Sequence, residues 1–359
     1  MRYRISTILL SCLAIAVTLA PIAHADDGGG WIVTGGALQP MQSHPSVRMV
    51  SEIVDVKLGG SRGSIGYVYV RCQFEFRNEG PAQDVVMAFP ENSSGYGDSS
   101  ATERLKGFKS WVDDKPVQVN YRPSAKNGTF GIAKLYKAWY VKTVHFNAGQ
   151  TRKVVDMYAS GPGVSDAGGL PRDYGFTYVL RTGASWKRPI GKATINVDTS
   201  AAGGFYAVKA SPKGCKMKGD KYTWVMSNFE PKQDISLSLS LKKPLLDGKP
   251  VRDMNYWISE PVVHGVLVVP VYLVTAAGGG MEWENGECVL SFGSHTLRLR
   301  GGSRTATIDG RKTTLSVPPD GDQGSEWMSA PLEDMVRLLG GTVKYTSDHT
   351  PNVILKASR

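Results

Sequence analysis

One order of elements occurs twice near the C-terminal end, and it constrains the fold more than any other feature of the chain. The first copy runs Val268-Val269-Pro270-Val271-Tyr272-Leu273-Val274-Thr275-Ala276-Ala277-Gly278-Gly279-Gly280-Met281-Glu282-Trp283. The second runs Ser329-Ala330-Pro331-Leu332-Glu333-Asp334-Met335-Val336-Arg337-Leu338-Leu339-Gly340-Gly341-Thr342-Val343-Lys344-Tyr345. In each, a Pro opens a short apolar helix, where its missing N–H has no partner to lose. A Gly pair closes the helix, because Gly takes the left-handed conformation that stops it. A strand ending in an aromatic follows, then a further strand, 288–292 in one copy and 353–355 in the other. Met335, Leu338 and Leu339 fall at helical spacing and predict one apolar face on a helix over 332–339. Recurrence of this order 61 positions later marks an internal repeat. Residues 248–359 are therefore expected to form one α+β unit of two related halves, of a size that suits a single core and independent folding. Between the copies, residues 297–312 alternate as a strand does, and Asp309-Gly310 predicts a tight hairpin.

Residues 262–356 resemble the copper amine oxidase N-terminal, or stalk, domain family, which repeats a Pro, helix, Leu-Gly-Gly, Val-x-Trp pattern. The resemblance implies a stalk-like fold with a recognition or spacer role. The sequence departs from the pattern at Tyr272 and Glu333, where the family often has Arg. Amine oxidation is not implied, because the oxidase needs an Asn-Tyr-Asp/Glu cofactor precursor and copper-binding His in a larger catalytic domain. The nearest string, Asn255-Tyr256-Trp257, lacks the acid. No cofactor is expected.

At the other end, Arg2 and Arg4, an apolar run over 8–19, and Ala23-His24-Ala25 read as a secretory signal cleaved after Ala25. A lipoprotein signal at Leu9-Leu10-Ser11-Cys12 is disfavoured, because too little of the apolar run precedes Cys12. Residues 262–274 are interrupted by His264 and Pro270, so no membrane-spanning stretch is expected in the mature chain. Cleavage removes two Arg and no acid, so 42 − 2 = 40 basic residues face 32 acidic ones, a net charge of +8. That balance suits anionic surfaces. The basic residues are scattered among acids, however, and nucleic-acid binding needs a focused stripe in a known module. Of four Cys, Cys12 leaves with the signal. Cys72, Cys215 and Cys288 allow at most one internal disulfide, and their spacing fits no metal pattern. Cys72 alternates with Val70 and Phe74, which reads as a small core side chain.

The body of the chain reads as strands. Val68, Val70, Cys72, Phe74 and Phe76 face one way, while Tyr69, Arg71, Gln73, Glu75 and Arg77 face the other. This is the pattern of a half-buried antiparallel strand. Strands are also expected over 48–58, 84–89, 138–146 and 151–158, with Asp113-Asp114 as a turn rather than a paired acid site. Together they predict a β-sandwich over 26–165. The strings Val70-Arg71-Cys72-Gln73-Phe74-Glu75-Phe76-Arg77-Asn78-Glu79-Gly80 and Val85-Val86-Met87-Ala88-Phe89-Pro90-Glu91 resemble exported DUF4424-like proteins, a family that implies no active site. A Gly/Pro-rich stretch at 161–172 is expected to link this region to a second β-rich domain over 166–247. Its strands fall at 176–181, 193–198, 205–209, 222–226 and 235–241, with Trp186 and Trp224 as burial anchors. The fold class is thus mainly β with a small α+β part: two sandwich-like regions followed by the stalk-like domain.

No chemistry-bearing motif stands out. There is no G-x-S-x-G elbow and no H-E-x-x-H pair. His44, His145, His264, His295 and His349 lie outside metal-ligand spacing of one another. No catalytic, cofactor-binding or metal-binding residue is assigned. The expected protein is exported to the periplasm, cell surface or exterior. It is non-catalytic and serves binding, scaffolding or spacing, with a cell-wall polymer or another envelope protein as partner and no nucleic acid. The alternative is a secreted hydrolase with an unrecognised site.

Overall fold

The computed structural model describes residues 33–36, 39–40, 46–92, 105–123, 136–165, 173–251, 261–321 and 327–356. The expected signal segment 1–25 and the string at 255–257 lie outside the described residues. In chain order the first strands are β1 (Val33–Gly36), β2 (Gln39–Pro40), β3 (Val47–Ser61), β4 (Ser64–Asn78), β5 (Gln83–Asn92) and β6 (Lys106–Val112). Next come β7 (Lys115–Val117), β8 (Asn120–Pro123), β9 (Tyr136–Phe146), β10 (Thr151–Ser160), β11 (Gly163–Ser165) and β12 (Asp173–Val179). They are followed by β13 (Ile190–Asp198), β14 (Tyr206–Ser211), β15 (Lys216–Lys218), β16 (Lys221–Phe229) and β17 (Ile235–Leu241).

The largest sheet has eight strands in the order β15-β16-β13-β3-β4-β10-β6-β7. Facing it are two smaller sheets, β2-β5-β9-β8 and β1-β12-β17-β14, with β11 on β12. Regions 26–165 and 166–247, expected to follow one another, contribute strands to the same sheets. β13 pairs in parallel with β3 from Lys192↔Ser51 to Asp198↔Lys57, and β1 pairs in parallel with β12. Alternation fixes which side chains of a strand share a face, but it does not name the strand's partner. The individual strands fall where patterning places them. On β4 the side chains from Val68 to Phe76 on the even positions are buried, and Trp186 and Trp224 are buried as well.

Polar groups sit inside this sandwich. Lys142 of β9 and Asp156 of β10 belong to opposite layers and are both fully buried, with Nζ 2.6 and 2.7 Å from the two carboxylate oxygens. Burial pulls the Lys142 ammonium below its ordinary value, and Asp156 counters it only in part. Nearby, the Tyr178 hydroxyl donates to Glu52 Oε1 at 2.7 Å and lies 3.5 Å from Cys72 Sγ. Glu52 Oε2 is buried without a partner among the described residues. Burial pushes Glu52 from 4.5 up to about 7, although the Tyr178 bond acts to lower it.

The folded chain therefore keeps a proton on Glu52 at pH values where the unfolded chain has released it. Stability from this group is complete below pH 4.5 and is lost as pH rises towards 7. Glu52→Gln removes the titration. The variant should gain about 3 kcal/mol on the native protein between pH 4.5 and 8. Urea unfolding of both proteins across that range measures the difference, and a gap that stays constant with pH refutes the assignment.

The C-terminal elements are β18 (Leu245–Leu246), β19 (Lys249–Pro250), β20 (Val262–Val263), β21 (Val266–Pro270), α1 (Leu273–Ala276), β22 (Gly280–Glu284) and β23 (Glu287–Phe292). Then follow β24 (His295–Leu299), β25 (Thr305–Ile308), β26 (Arg311–Thr314), β27 (Ser329–Pro331), α2 (Leu332–Leu338), β28 (Thr342–Tyr345) and β29 (Pro351–Ile354). The two motif copies meet through the strands that precede their helices, since β21 pairs antiparallel with β27 from Val268↔Pro331 to Pro270↔Ser329. The Gly pairs have divided roles. Gly278 and Gly340 carry the positive φ that ends each helix, 91° and 77°. The second Gly makes room for a strand. A Cβ on Gly279 would lie 2.4 Å from Ser291 O, and one on Gly341 2.7 Å from Ile354 O. Asp247-Gly248 is a hairpin turn between β18 and β19, and β18 pairs in parallel with β29. The C-terminal sheets thus draw in residues from 245 onward, and their apolar side chains join one core with the sandwich.

The apolar stripe of α2 is Leu332, Met335, Val336 and Leu339, all buried, while Leu338 is only half-buried at its flank. Placement of Leu338 on the buried face is corrected by this stripe, which follows the i, i+3, i+4, i+7 pattern from Leu332. Met335→Asp should cost roughly 3–5 kcal/mol by burying an unpaired charge. Leu338→Asp should cost less, because its carboxylate can reach water. Thermal unfolding of the two variants gives the order, and equal losses would contradict the stripe.

Candidate functional site

The outer face of the eight-stranded sheet carries a groove of about 1020 Å³ that crosses the strands. Its side chains follow from the register. One row across β16, β13, β3, β4 and β10 is Lys221, Asp198, Lys57, Tyr69 and Ala159. The next, two residues along, is Thr223, Asn196, Asp55, Arg71 and Met157, and it reaches Lys109 on β6. Trp111, opposite Val155, lines the groove beyond the second row, and Lys106 stands opposite Ala159 in the first. Tyr69 and Met157 are 50 % and 41 % exposed, which is unusual for such large side chains. Five basic and two acidic side chains line the groove.

Local features set the groove's shape. A Cβ on Gly59 would lie 2.5 Å from Tyr69 Cε2, so the absent side chain leaves the space into which the Tyr69 ring leans. Tyr67 extends the aromatic surface, with its ring centre 6.2 Å from that of Tyr69. On β6 the pairing with β10 shifts between Met157 and Ala159, and Gly107 has φ 63°. This bulge brings Lys106 to the groove alongside Lys109, although side chains three apart on a regular strand point to opposite faces. The polar side of the floor is tied together. Thr223 Oγ1 donates to Asn196 Oδ1 at 3.1 Å, and Asn196 Nδ2 donates to Asp55 Oδ1 at 2.9 Å. Burial acts to raise Asp198, but hydrogen bonds from Ser200 and the charges of Lys221 and Lys57 outweigh it, and the carboxyl lies below its ordinary value.

The residues singled out in the sequence are placed elsewhere. Cys72, Cys215 and Cys288 are all unpaired. Cys72 is buried beside Tyr178, and burial pushes its thiol up. His145 and His295 each meet a single carboxylate, Asp84 at 2.7 Å and Asp309 at 2.8 Å. Among the described residues no group of three or more His, Cys, Asp and Glu side chains could hold a metal. Glu333 accepts a 2.6 Å bond from the Tyr345 hydroxyl. It lines a smaller crevice of about 350 Å³ between the sandwich and the C-terminal elements, where Arg62 lies over the Phe205 ring. The groove itself was not foreseen. Its one legible trace in the sequence is the outward pair Tyr69 and Arg71 on β4, because the other members come from five further strands.

The chain matches the family model described as a domain of unknown function, DUF4424, over residues 170–237. That span covers β12 to β16 and the start of β17, and lies downstream of the strings at 70–80 and 85–91. It does not reach residues 262–356. No curated protein matches the chain. Among solved structures, a candidate nutrient binding protein from Legionella pneumophila is similar at 23% identity and TM-score 0.49, over 60% of this chain and 73% of that one. An M1 zinc metallopeptidase from Deinococcus radiodurans shows 9% identity and TM-score 0.25, over 55% of this chain and 43% of its own. Leukotriene A4 hydrolase from Saccharomyces cerevisiae shows 5% identity and TM-score 0.31, over 56% and 30%.

Gly59→Ala tests how Tyr69 is held. The added methyl should displace the ring while leaving stability within about 1 kcal/mol, because the far end of an exposed side chain moves and no backbone does. A crystal structure of the variant shows the ring position, and an unmoved Tyr69 contradicts the assignment.

Proposed function

We propose that this chain is an exported, non-catalytic binding protein that lays an extended ligand across the outer face of its large sheet. The observation that carries this reading is the groove, in which Tyr69, Trp111 and Met157 provide contact surface and the flanking cations provide attraction. Exposed aromatic area is retained on a soluble surface chiefly where something covers it. The ionisable groups buried in the sandwich offer no rival site, because Glu52, Lys142 and Asp156 are sealed from solvent. A cell-wall polymer or another envelope component fits the expected export, with the mature chain starting at Asp26. The C-terminal unit serves as support, since its apolar side chains join the sandwich core.

Retention on isolated cell envelopes tests the reading. Arg71→Glu combined with Lys57→Glu should weaken retention about tenfold or more, since reversing two flanking charges removes at least 1–2 kcal/mol. Circular dichroism should be unchanged, because both side chains face outward. Undiminished retention in the folded double variant overturns the proposal. Mass spectrometry of secreted material should show Asp26 as the first residue, and an intact Met1 contradicts cleavage after Ala25.

A further inference from the structure

The groove's chemistry narrows its ligand, and this step rests on the binding role proposed above. We infer that the ligand is an acidic polysaccharide with well-spaced carboxylates, of the kind that alternates a uronate with a neutral ring. Three features point there. In each row one pair of cations stands two strands apart: Lys221 and Lys57 sit on β16 and β3 with β13 between them, and Arg71 and Lys109 sit on β4 and β6 with β10 between them, while Lys57 and Arg71 are on adjacent strands. Two strand spacings are about 9.6 Å, whereas side chains on one face of an extended peptide recur every 6.6 Å or so. The larger separation, within each pair, matches two sugar rings of an extended chain.

The floor between the cations carries its own acceptors. Asp55, Asp198 and Asn196 lie among the basic side chains, and against the pull of burial the Ser200 hydrogen bonds, with Lys221 and Lys57, hold the Asp198 carboxyl below its ordinary value. A polyanion with a charge on every unit would meet these two carboxylates as well as the cations. A chain rich in hydroxyls gains donors to these oxygens, and its occasional carboxylates meet the lysines and Arg71. A nucleic acid would bring a phosphate with every nucleotide against both aspartates. Finally, the Tyr69 ring leaning over Gly59, with the Tyr67 ring tilted 37° to it, offers an apolar surface on which the C–H face of a sugar ring can pack.

The experiment titrates the full mature chain with four probes, read by Trp fluorescence and calorimetry. The probes are hyaluronan oligosaccharides, in which uronate and neutral rings alternate, neutral dextran, poly-glutamate and single-stranded DNA. The expected result is tightest binding to the alternating oligosaccharide, weakening as salt rises. Tyr69→Ala and Lys57→Glu should each weaken it about tenfold. Failure of the oligosaccharide to bind, or preference for DNA, poly-glutamate or dextran, overturns the ligand class. If groove variants still lose envelope retention in that case, the binding role stands without the class. If groove variants leave envelope retention intact, the binding role itself falls.

Discussion

The parallel pairing of β13 on β3 is the constraint on which the rest of the molecule depends. It seats Lys192–Asp198 against Ser51–Lys57 and so joins β16 and β15 to the long β3–β4 pair. Without it the large sheet would end at β3, its inner face would lose the cover of Ala193, Ile195 and Val197, and its outer face would lose two members of each row in the groove, Lys221 and Asp198 from one and Thr223 and Asn196 from the other. Core and candidate site are therefore two sides of one pairing. Inward residues of β3, β4, β10 and β13 form the core, and the residues between them form the groove floor, because side chains alternate strictly along a strand.

The interior shows how the layers are held in register. Apolar side chains dominate, but Lys142 and Asp156 pin β9 to β10 across the gap, and Tyr178 of β12 reaches Glu52 of β3. A buried ion pair adds little net stability against a well-packed apolar pair, yet removing one partner leaves an uncompensated charge. Such pairs favour one arrangement of the layers over slipped alternatives. The incompletely satisfied Glu52 has the opposite character: it costs stability at neutral pH, and the fold tolerates that through the surrounding apolar contacts.

The C-terminal elements illustrate repetition put to a different use. Each Gly pair ends a helix with its first member and admits a strand with its second, so the same two residues solve a conformational and a steric problem in both copies. The copies are not equal. α2 presents a full stripe of Leu332, Met335, Val336 and Leu339, while α1 is a single turn with Leu273 and Val274 buried.

The sequence by itself determined the mainly β class, nearly every long strand, the paired faces of β4, the Asp113-Asp114 and Asp309-Gly310 turns, and the doubled helix–Gly-Gly–strand order. These are local matters of periodicity, φ preference and residue volume, and neighbouring residues suffice to decide them. Tertiary structure alone decided that the strands of 173–241 complete the sheets begun by 33–165, that β18 joins the C-terminal sheet, and that Leu338 flanks the stripe. It alone assembled the groove as well. Lys221, Lys57, Arg71 and Lys109 lie far apart in the chain, and Lys106 joins them only through a bulge at Gly107. Partner choice between strands is set by how whole faces bury against one another, and no window of the sequence contains that information.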